Sequence, residues 1–444
     1  MPAQLHPADP LYGEMRRRAR EMFDYALAEC SVSTAMRRYV QLQGSELRIG
    51  DDLYDLGSFS TIKVVSIGKA GHPLAQALAE ATNGGVHGII SCPTRPAAQV
   101  FGFWYFFGGH PLPNQDSLRA GDATLKLLAN SGPDTLCIFL ISGGASAIAE
   151  KPISSAISLD DIVATYRALV YSGAPISEIN ALRKHLSAIK GGRMARAAAP
   201  AHQVSILVSD VPENSLDALA SGPTMPDTTT VADCYAIAKK YHLLPELPPA
   251  VRALFERQML LETPKPGNEA FARSRYVTVL SNSTAIKAAV ANAALAGFAV
   301  EVDVTTNDWD YADAADHLLS RLRELRRGAS RVCLISGGEV TVKVGKNPGI
   351  GGRNQQFALD CAHKIQGQPI TVFSAGTDGI DGNSEAAGAI SDGSTVARAQ
   401  EKGLNAAEAL NSLNAFPLFD ALGDAIMTGP TGNNVRDLRV LLAY

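Results

Sequence analysis

Apolar residues in this chain fall into short unbroken runs separated by glycines and polar residues. In the first half the runs are Thr61-Ile-Lys-Val-Val-Ser-Ile67, Gly88-Ile-Ile-Ser91, Leu136-Cys-Ile-Phe-Leu-Ile141 and Val204-Ser-Ile-Leu-Val208. In the second half they are Tyr276-Val-Thr-Val-Leu280, Phe298-Ala-Val-Glu-Val-Asp-Val304, Val332-Cys-Leu-Ile335 and Ile370-Thr-Val-Phe-Ser374. Runs of this length read as strands buried on both faces. Between them, 73–82, 117–131, 283–296, 312–326 and 354–365 carry a helical period. Pro73 stands where a first-turn proline would, and Gly297 where a helix would stop. Alternating strand and helix predicts an α/β fold with mostly parallel sheets and helices on both faces. Residues 11–45 and 159–199 read as helical, the latter broken near Gly173-Ala-Pro175 and Gly191-Gly192. The aromatic run 101–107 reads as extended cover for apolar surface, 340–344 as an alternating strand, and 435–443 as a last strand.

A chain of 444 residues suggests at least two domains. The proline- and glycine-rich segment 242–268 is the best linker, which puts one domain at 1–250 and a second at 270–444. The composition, 46% hydrophobic and 19% charged, is that of a soluble globular protein. A net charge of −4 supplies no basic field, so nucleic acid is not expected as a partner. The basic clusters 16–20 and 321–327 read as solvated helix faces. No apolar stretch reaches the roughly 18 residues of a membrane span, and the first residues lack a signal-peptide layout. The six cysteines are scattered without a C-x-x-C pair, so a cytoplasmic protein with neither disulfides nor a zinc site is expected.

Five residues, Leu-Ile-Ser-Gly-Gly, occur twice, at 140–144 and 334–338, each closing a strand. Strand ends are where open α/β sheets bind ligands, and glycine lets the backbone approach closely. Ser142, Gly143, Gly144, Ala145 and Ser146 in the first copy, and Ser336, Gly337, Gly338 and Glu339 in the second, are therefore candidate ligand contacts. Ser146 falls one residue short of a G-x-S-x-G nucleophile elbow and has no obvious His partner, which argues against a hydrolase. Gly68-Lys69-Ala-Gly71 follows a strand and opens a helix, where free N–H groups and a compact positive charge favour an anion. Lys69 opposes the helix dipole there, so a site is preferred to a lysine merely lying along the surface. It is not a Walker A loop, because Ala rather than Ser or Thr follows the lysine.

Asp210, just past a strand in Ser209-Asp-Val-Pro212, suits a Mg²⁺ ligand, a general base or a helix cap, with Glu213 and Asn214 as polar neighbours. In Gly349-Ile-Gly-Gly-Arg353, Gly351 and Gly352 precede an arginine able to clamp a carboxylate or phosphate. Asp378, in Ser374-Ala-Gly-Thr-Asp378-Gly-Ile-Asp381-Gly-Asn383, could hold Mg²⁺ or a nucleotide ribose, or form an ordinary turn; the stretch lacks an EF-hand's closing Glu. Thr428–Asn434 is a further polar loop. Asn180, Lys184 and Ser187 share one helix face and could meet an acidic ligand. His185 has no metal-ligand partner one turn on and reads as structural.

Together, Ser66–Ala70, Leu140–Ala147, Ile179–His185, Val208–Pro212, Ala220-Ser-Gly-Pro-Thr224, Gly349–Gln356 and Ser374–Asn383 resemble the class II glycerate kinases, the glycerate 2-kinase family with a C-terminal MOFRL domain. The segments run from about residue 60 to the end. The resemblance implies two Rossmann-like domains with an interdomain cleft, and ATP- and Mg²⁺-dependent phosphorylation of D-glycerate at its 2-hydroxyl. It implies Lys69 and Arg353 as the charged catalytic groups, with Asp210 near the reacting hydroxyl or the metal. Asp378 is the second candidate metal ligand. Some relatives are labelled hydroxypyruvate reductases of tartrate breakdown, but no complete G-x-G-x-x-G is present for a nicotinamide dinucleotide. A non-catalytic organic-acid binding protein is the remaining alternative.

Overall fold

The computed structural model describes residues 6–345 and 347–444, without the side chains of Glu213 and Asn214. The chain divides into two compact units. One is Val32–Val279; the other joins Leu280–Tyr444 to the amino-terminal segment up to Ser31. The expectation of 1–250 against 270–444 thus differs at the amino terminus.

The first unit is built on β1 (Thr61–Ile67), β2 (His87–Cys92), β3 (Phe103–Phe107), β4 (Thr135–Ser142), β5 (His202–Val208) and β6 (Ser274–Leu280). They lie in the order β3-β2-β1-β4-β5-β6, and all pairings from β3 to β5 are parallel. Helices α1 (Gly71–Ala81) and α2 (Gln115–Leu128) make the crossovers after β1 and β3. The strand order runs one way from β1 to β3 and the other way from β4 to β6, so the switch point lies between β1 and β4. All residues of β4 are buried, as its unbroken apolar run requires. Lys63 is the one charged residue of β1. Its ammonium reaches the Leu127 and Asn130 carbonyls at 2.8 and 2.9 Å, satisfying orphan acceptors at the end of α2.

Beside this sheet, the helices Leu159–Tyr171, α3 (Ile176–Leu186), Val231–Lys240 and Pro249–Glu256 share an apolar cluster. Leu243, Leu247, Val251, Phe255 and Leu260 are buried in it. Segment 242–268 is therefore packed structure and not a linker: Pro249 begins a helix instead of marking an exposed tether. A small antiparallel meander of Val40–Gln43, Glu46–Ile49 and Asp52–Asp55 follows the amino-terminal helices, so the helical reading of 11–45 ends too late.

The second unit contains α4 (Asn282–Leu295), β7 (Ala299–Val302), α5 (Tyr311–Gly328), β8 (Val332–Gly337), α6 (Arg353–Lys364), β9 (Ile370–Gly376), β10 (Gly388–Asp392), β11 (Ala425–Ile426) and β12 (Asp437–Ala443). Their order is β7-β8-β12-β9-β10-β11. Here the expectation of a mostly parallel sheet needs correction. Only β7–β8 is parallel; the pairs around β12, β9, β10 and β11 are antiparallel. The cause is local: β9 returns to β10 without a crossover helix, and the last strand inserts between β8 and β9. Leu438, Val440 and Leu442 pack against α4 and the amino-terminal helix Pro10–Glu29, whereas Leu441 and Ala443 pack against α5 and α6. Arg16 of that first helix is ion-paired to Asp392 and Asp424, which explains its place in this unit. Residues 340–344 do not form a strand; Thr341 makes one isolated bridge to Asp310. Among the described residues no helix is long and apolar enough to cross a membrane. All six cysteines are buried.

Candidate functional site

Ile67 is level with Ile141, and Ile141 with Leu207, so β1, β4 and β5 end together. Their following loops are stitched to one another. Ala70 N–H donates to Ser142 Oγ at 3.0 Å, Lys69 N–H to the Gly143 carbonyl at 2.9 Å, and Gly71 N–H to the Gly68 carbonyl at 3.0 Å. Gly68 and Gly144 have positive φ, and a Cβ on Gly68 would overlap Ser142. The turn therefore needs glycine on steric grounds. It also uses up N–H groups that the sequence suggested for an anion, which leaves the Lys69 side chain as the attracting group. Lys69 is exposed and, among the described residues, its side chain makes no hydrogen bond or ion pair.

Asp210 is half-buried past β5, and its carboxylate lies where a Cβ on Gly143 would stand. Lys69 and His110 flank the same position on Gly144. Ala145 opens a single helical turn, and Ser146 in it shares a hydrogen bond of 2.9 Å with Ser221 Oγ. Ser221 donates in turn to Asn180 Oδ1 at 3.3 Å. Ala220, Ser221 and Gly222 all have positive φ, two of them non-glycine. Such backbone is costly and collects at functional sites. Gly191 and Gly192 N–H groups hold it, donating to the Ser221 and Gly222 carbonyls at 3.0 and 2.7 Å. Lys69, Ser142–Ser146 and Asp210 thus lie on adjoining loops, and Asn180 reaches them from α3 through Ser221.

Lys184 stands apart from them. Its buried ammonium is paired with Asp217 at 2.9 Å and Asp227 at 3.1 Å. Burial alone would raise the Asp227 pKa, but Lys184 and the Thr229 and Thr263 groups more than offset this and hold it below the ordinary value. His185 is buried, with Nδ1 against the Ala181 carbonyl at 2.8 Å, in keeping with a structural role. Glu213 and Asn214 fall outside the described side chains.

In the second unit, Ser336, Gly337 and Gly338 repeat the turn at the end of β8. Ser336 Oγ is 3.4 Å from Thr306 Oγ1, and a Cβ on Gly337 would overlap Asn282. Gly351 and Gly352 lead into α6, whose first residue is Arg353. Its guanidinium holds Asp437 with two bonds, of 2.6 and 2.9 Å, and Glu339 at 2.8 Å. Arg439, fully buried, lies 3.7 Å from Asp437 and donates to the Gly338 carbonyl at 3.2 Å. Asp381 caps α6, accepting the Asn354 and Gln355 N–H groups at 3.1 and 2.9 Å. A carboxylate from the chain itself therefore occupies that helix terminus. Asp378 is half-buried and accepts Ile380 N–H at 3.2 Å in a turn.

Among the described residues no group of three or more His, Cys, Asp or Glu could hold a metal. Mg²⁺ that travels with a nucleotide needs only one or two protein carboxylates, because phosphates and waters complete its shell. Asp210 and Asp378 are single hard-oxygen donors of that kind, one in each unit.

The family model described as a domain of unknown function (DUF4147) matches residues 18–256, and that of the MOFRL family matches 332–437. A glycerate 2-kinase of Pyrococcus horikoshii is 32% identical, covering 90% of this chain and 89% of that protein. A D-glycerate 2-kinase of Thermotoga maritima is 34% identical over 84% of this chain and 89% of its own length. The chain belongs to the glycerate kinase family. The crystal structure of a Thermotoga maritima glycerate kinase superposes with a TM-score of 0.83, at 30% identity over 97% of this chain and all of that one. An Agrobacterium vitis relative at 36% identity, covering 85% of this chain and 86% of its own, is provisionally named a hydroxypyruvate reductase.

Four residues beside these turns are not picked out by the sequence. Asp437 and Arg439 alternate inside an apolar run, and charged residues at a period of two in a buried strand were the available signal. Asp381 lay beside the chosen Asp378. His110 follows two glycines past β3, in a stretch read only for its aromatics.

Proposed function

We propose that this chain is a glycerate 2-kinase, transferring the γ-phosphoryl group of ATP to the 2-hydroxyl of D-glycerate to give 2-phosphoglycerate and ADP. The observation that carries this reading is Lys69, a cation with no partner among the described residues, on a bare glycine turn at the strand-order reversal. Phosphoryl transfer asks mainly for positioning and for neutralisation of charge spread over the moving group. Lys69 supplies that charge in the first unit. Arg353, ion-paired to Asp437 and Glu339, supplies it in the second. Asp210 stands to accept the proton of the 2-hydroxyl or, alternatively, to bind the metal. Ser146, Asn180 and the Ser142–Gly144 turn provide polar contacts, whereas the ion-paired Lys184 supports the fold around them. Mg²⁺ bound with ATP would neutralise phosphate charge, with Asp210 or Asp378 as its protein ligand. A cytoplasmic setting belongs to the same reading and is supported by cysteines scattered along the chain without a C-x-x-C pair.

The Agrobacterium vitis relative's name favours reduction of hydroxypyruvate as a second reading. Against it, the turn after β1 carries Lys69 and has its Ala70 and Gly71 N–H groups engaged, where a dinucleotide fingerprint would present them to a pyrophosphate. The two readings separate in one experiment. Purified protein is assayed for ADP release with D-glycerate, ATP and Mg²⁺, and for NADH or NADPH oxidation with hydroxypyruvate. ADP formation is expected; cofactor oxidation without it would reject the kinase.

A further inference from the structure

The loop after β3 has no part in the roles assigned above, yet it is held at both ends. Gly108 and Gly109 stand where no side chain fits: a Cβ would overlap the Ile148 carbonyl at one and the Leu112 carbonyl at the other. Gly109 N–H donates to Ser117 Oγ at 3.0 Å. Asn114, which caps α2 by accepting Ser117 N–H at 2.9 Å, donates to the Phe107 carbonyl at 3.0 Å. The loop therefore delivers the next residue, His110, to a defined place.

That place is above Gly144. A Cβ on Gly144 would lie 2.9 Å from His110 Cδ2, 3.3 Å from His110 Nε2 and 3.2 Å from Lys69 Cγ. Lys69 and His110 thus stand side by side over one glycine, and Asp210 stands over its neighbour, Gly143. Among the described residues nothing hydrogen-bonds to the His110 ring, which is solvent-accessible. Burial against the turn and the nearby Lys69 ammonium push its pKa below the ordinary value. At neutral pH the ring is uncharged, a donor at one nitrogen and an acceptor at the other. Such a group suits a hydroxyl, while Lys69 suits a carboxylate or phosphate. Neighbouring glycines carry neighbouring polar groups here, and glycerate carries hydroxyls on neighbouring carbons.

We propose that His110 contacts the substrate, hydrogen-bonding the unreactive 3-hydroxyl of glycerate while Asp210 faces the 2-hydroxyl. This rests on the kinase reading and adds a residue that selects for the substrate. A site that hydrogen-bonds a substrate hydroxyl rejects an analogue lacking it, because its own polar group is left unpaired. D-lactate is that analogue.

The test is steady-state kinetics of the wild type, His110→Leu and His110→Gln, with D-glycerate and D-lactate as acceptors or, where turnover of lactate is slow, lactate as competitive inhibitor. For His110→Leu, kcat/KM for glycerate should fall about tenfold or more, the loss expected for one hydrogen bond. The lactate constants and the KM for ATP should stay within about twofold, so the preference for glycerate collapses. His110→Gln, which keeps a donor and an acceptor, should retain most of the preference. A His110→Leu enzyme that keeps the wild-type preference, or that loses glycerate and lactate alike, overturns the proposal. Should that variant not fold, the His110 ring resonance of the wild type, identified by its loss in His110→Gln, must move with D-glycerate and not with D-lactate. No movement at saturating glycerate overturns the proposal equally. Absence of ADP formation in the wild type would instead reject the kinase reading, so the two failures are distinct.

Discussion

The two Leu-Ile-Ser-Gly-Gly turns have one sequence and opposite electrostatics. In the first unit the cation beside the turn, Lys69, has no carboxylate partner among the described residues. In the second, Arg353 is held by Asp437 and Glu339, and Asp381 fills the adjoining helix terminus. One turn is bound to its neighbouring loop through Ser142 and the N–H groups of 69 and 70. The other is bound through side chains: Asn282 over Gly337, and Asn307 accepting Glu339 N–H at 3.1 Å. An identical pentapeptide fixes the backbone bend and little else. Whether the bend binds an anion depends on how the surrounding cations are already engaged.

Lys69→Ala should break the comparison most sharply. With no bond lost in the fold, the melting transition should stay where it is. Activity should fall by about a thousandfold, the scale of a lost transition-state charge contact. Assay of ADP release together with thermal denaturation checks both halves; near-wild-type activity would remove Lys69 from the site. Asp437→Asn probes the opposite case. It takes a buried carboxylate from between Arg353 and the fully buried Arg439. Breaking a buried pair from one side leaves uncompensated charge, which costs about 3 kcal/mol, at the low end of such effects because Glu339 still holds Arg353. Urea denaturation should register that loss; an unchanged midpoint would show the two arginines do not depend on Asp437.

A matched pair of substitutions tests the turns themselves. A Cβ on Gly143 meets the carboxylate at the end of the Asp210 side chain. A Cβ on Gly337 meets Asn282, whose amide is tied to the Val435 and Asp437 carbonyls at 2.8 and 3.0 Å. Gly143→Ala should therefore lower kcat about tenfold by moving Asp210, with little change in stability. Gly337→Ala should cost about 2 kcal/mol of stability, in the range of overpacking. Equal stability losses in the two variants would mean that the turns are held alike after all.

The same contrast explains what the sequence could and could not tell. Strand ends, glycine turns and the position of Lys69 beside one of them were legible, because an apolar run followed by Ser-Gly-Gly has few backbone solutions. The parallel first sheet followed from its crossover helices. The second sheet was not legible in this way, since β12 pairs with strands nearly 70 and over 100 residues earlier, with no local sequence mark of its direction. Lys184 and Arg353 looked alike as free cations in sequence. Their partners Asp217, Asp227 and Asp437 are fixed by tertiary packing, and Asp437 sat in a run whose apolar residues dominated the pattern. His110 was missed for a related reason. A single histidine after two glycines has no period, and only the folded turn beneath it shows what it faces.

The smallest expected effect is a slope in pH. Burial, and secondarily the charge of Asp437, raise the Asp381 pKa to about 6, against the lowering effect of the Asn354 and Gln355 N–H groups. In the unfolded chain the same carboxyl titrates near 3.8. Between these values the folded state holds a proton that the unfolded state has lost, so unfolding free energy falls as pH rises. The stabilisation from this group is complete below about pH 4 and gone above about pH 6. Asp381→Asn should remove that segment of the stability–pH curve, leaving the shape outside the window unchanged. Asp437→Asn should shrink it as well, since one of the charges raising the pKa is gone. Urea midpoints measured at intervals from pH 4 to 7 would decide it. A wild-type curve that rises through this window no less steeply than the Asp381→Asn curve would mean that the α6 terminus holds its capping carboxylate charged throughout, as the hydrogen bonds alone would have it.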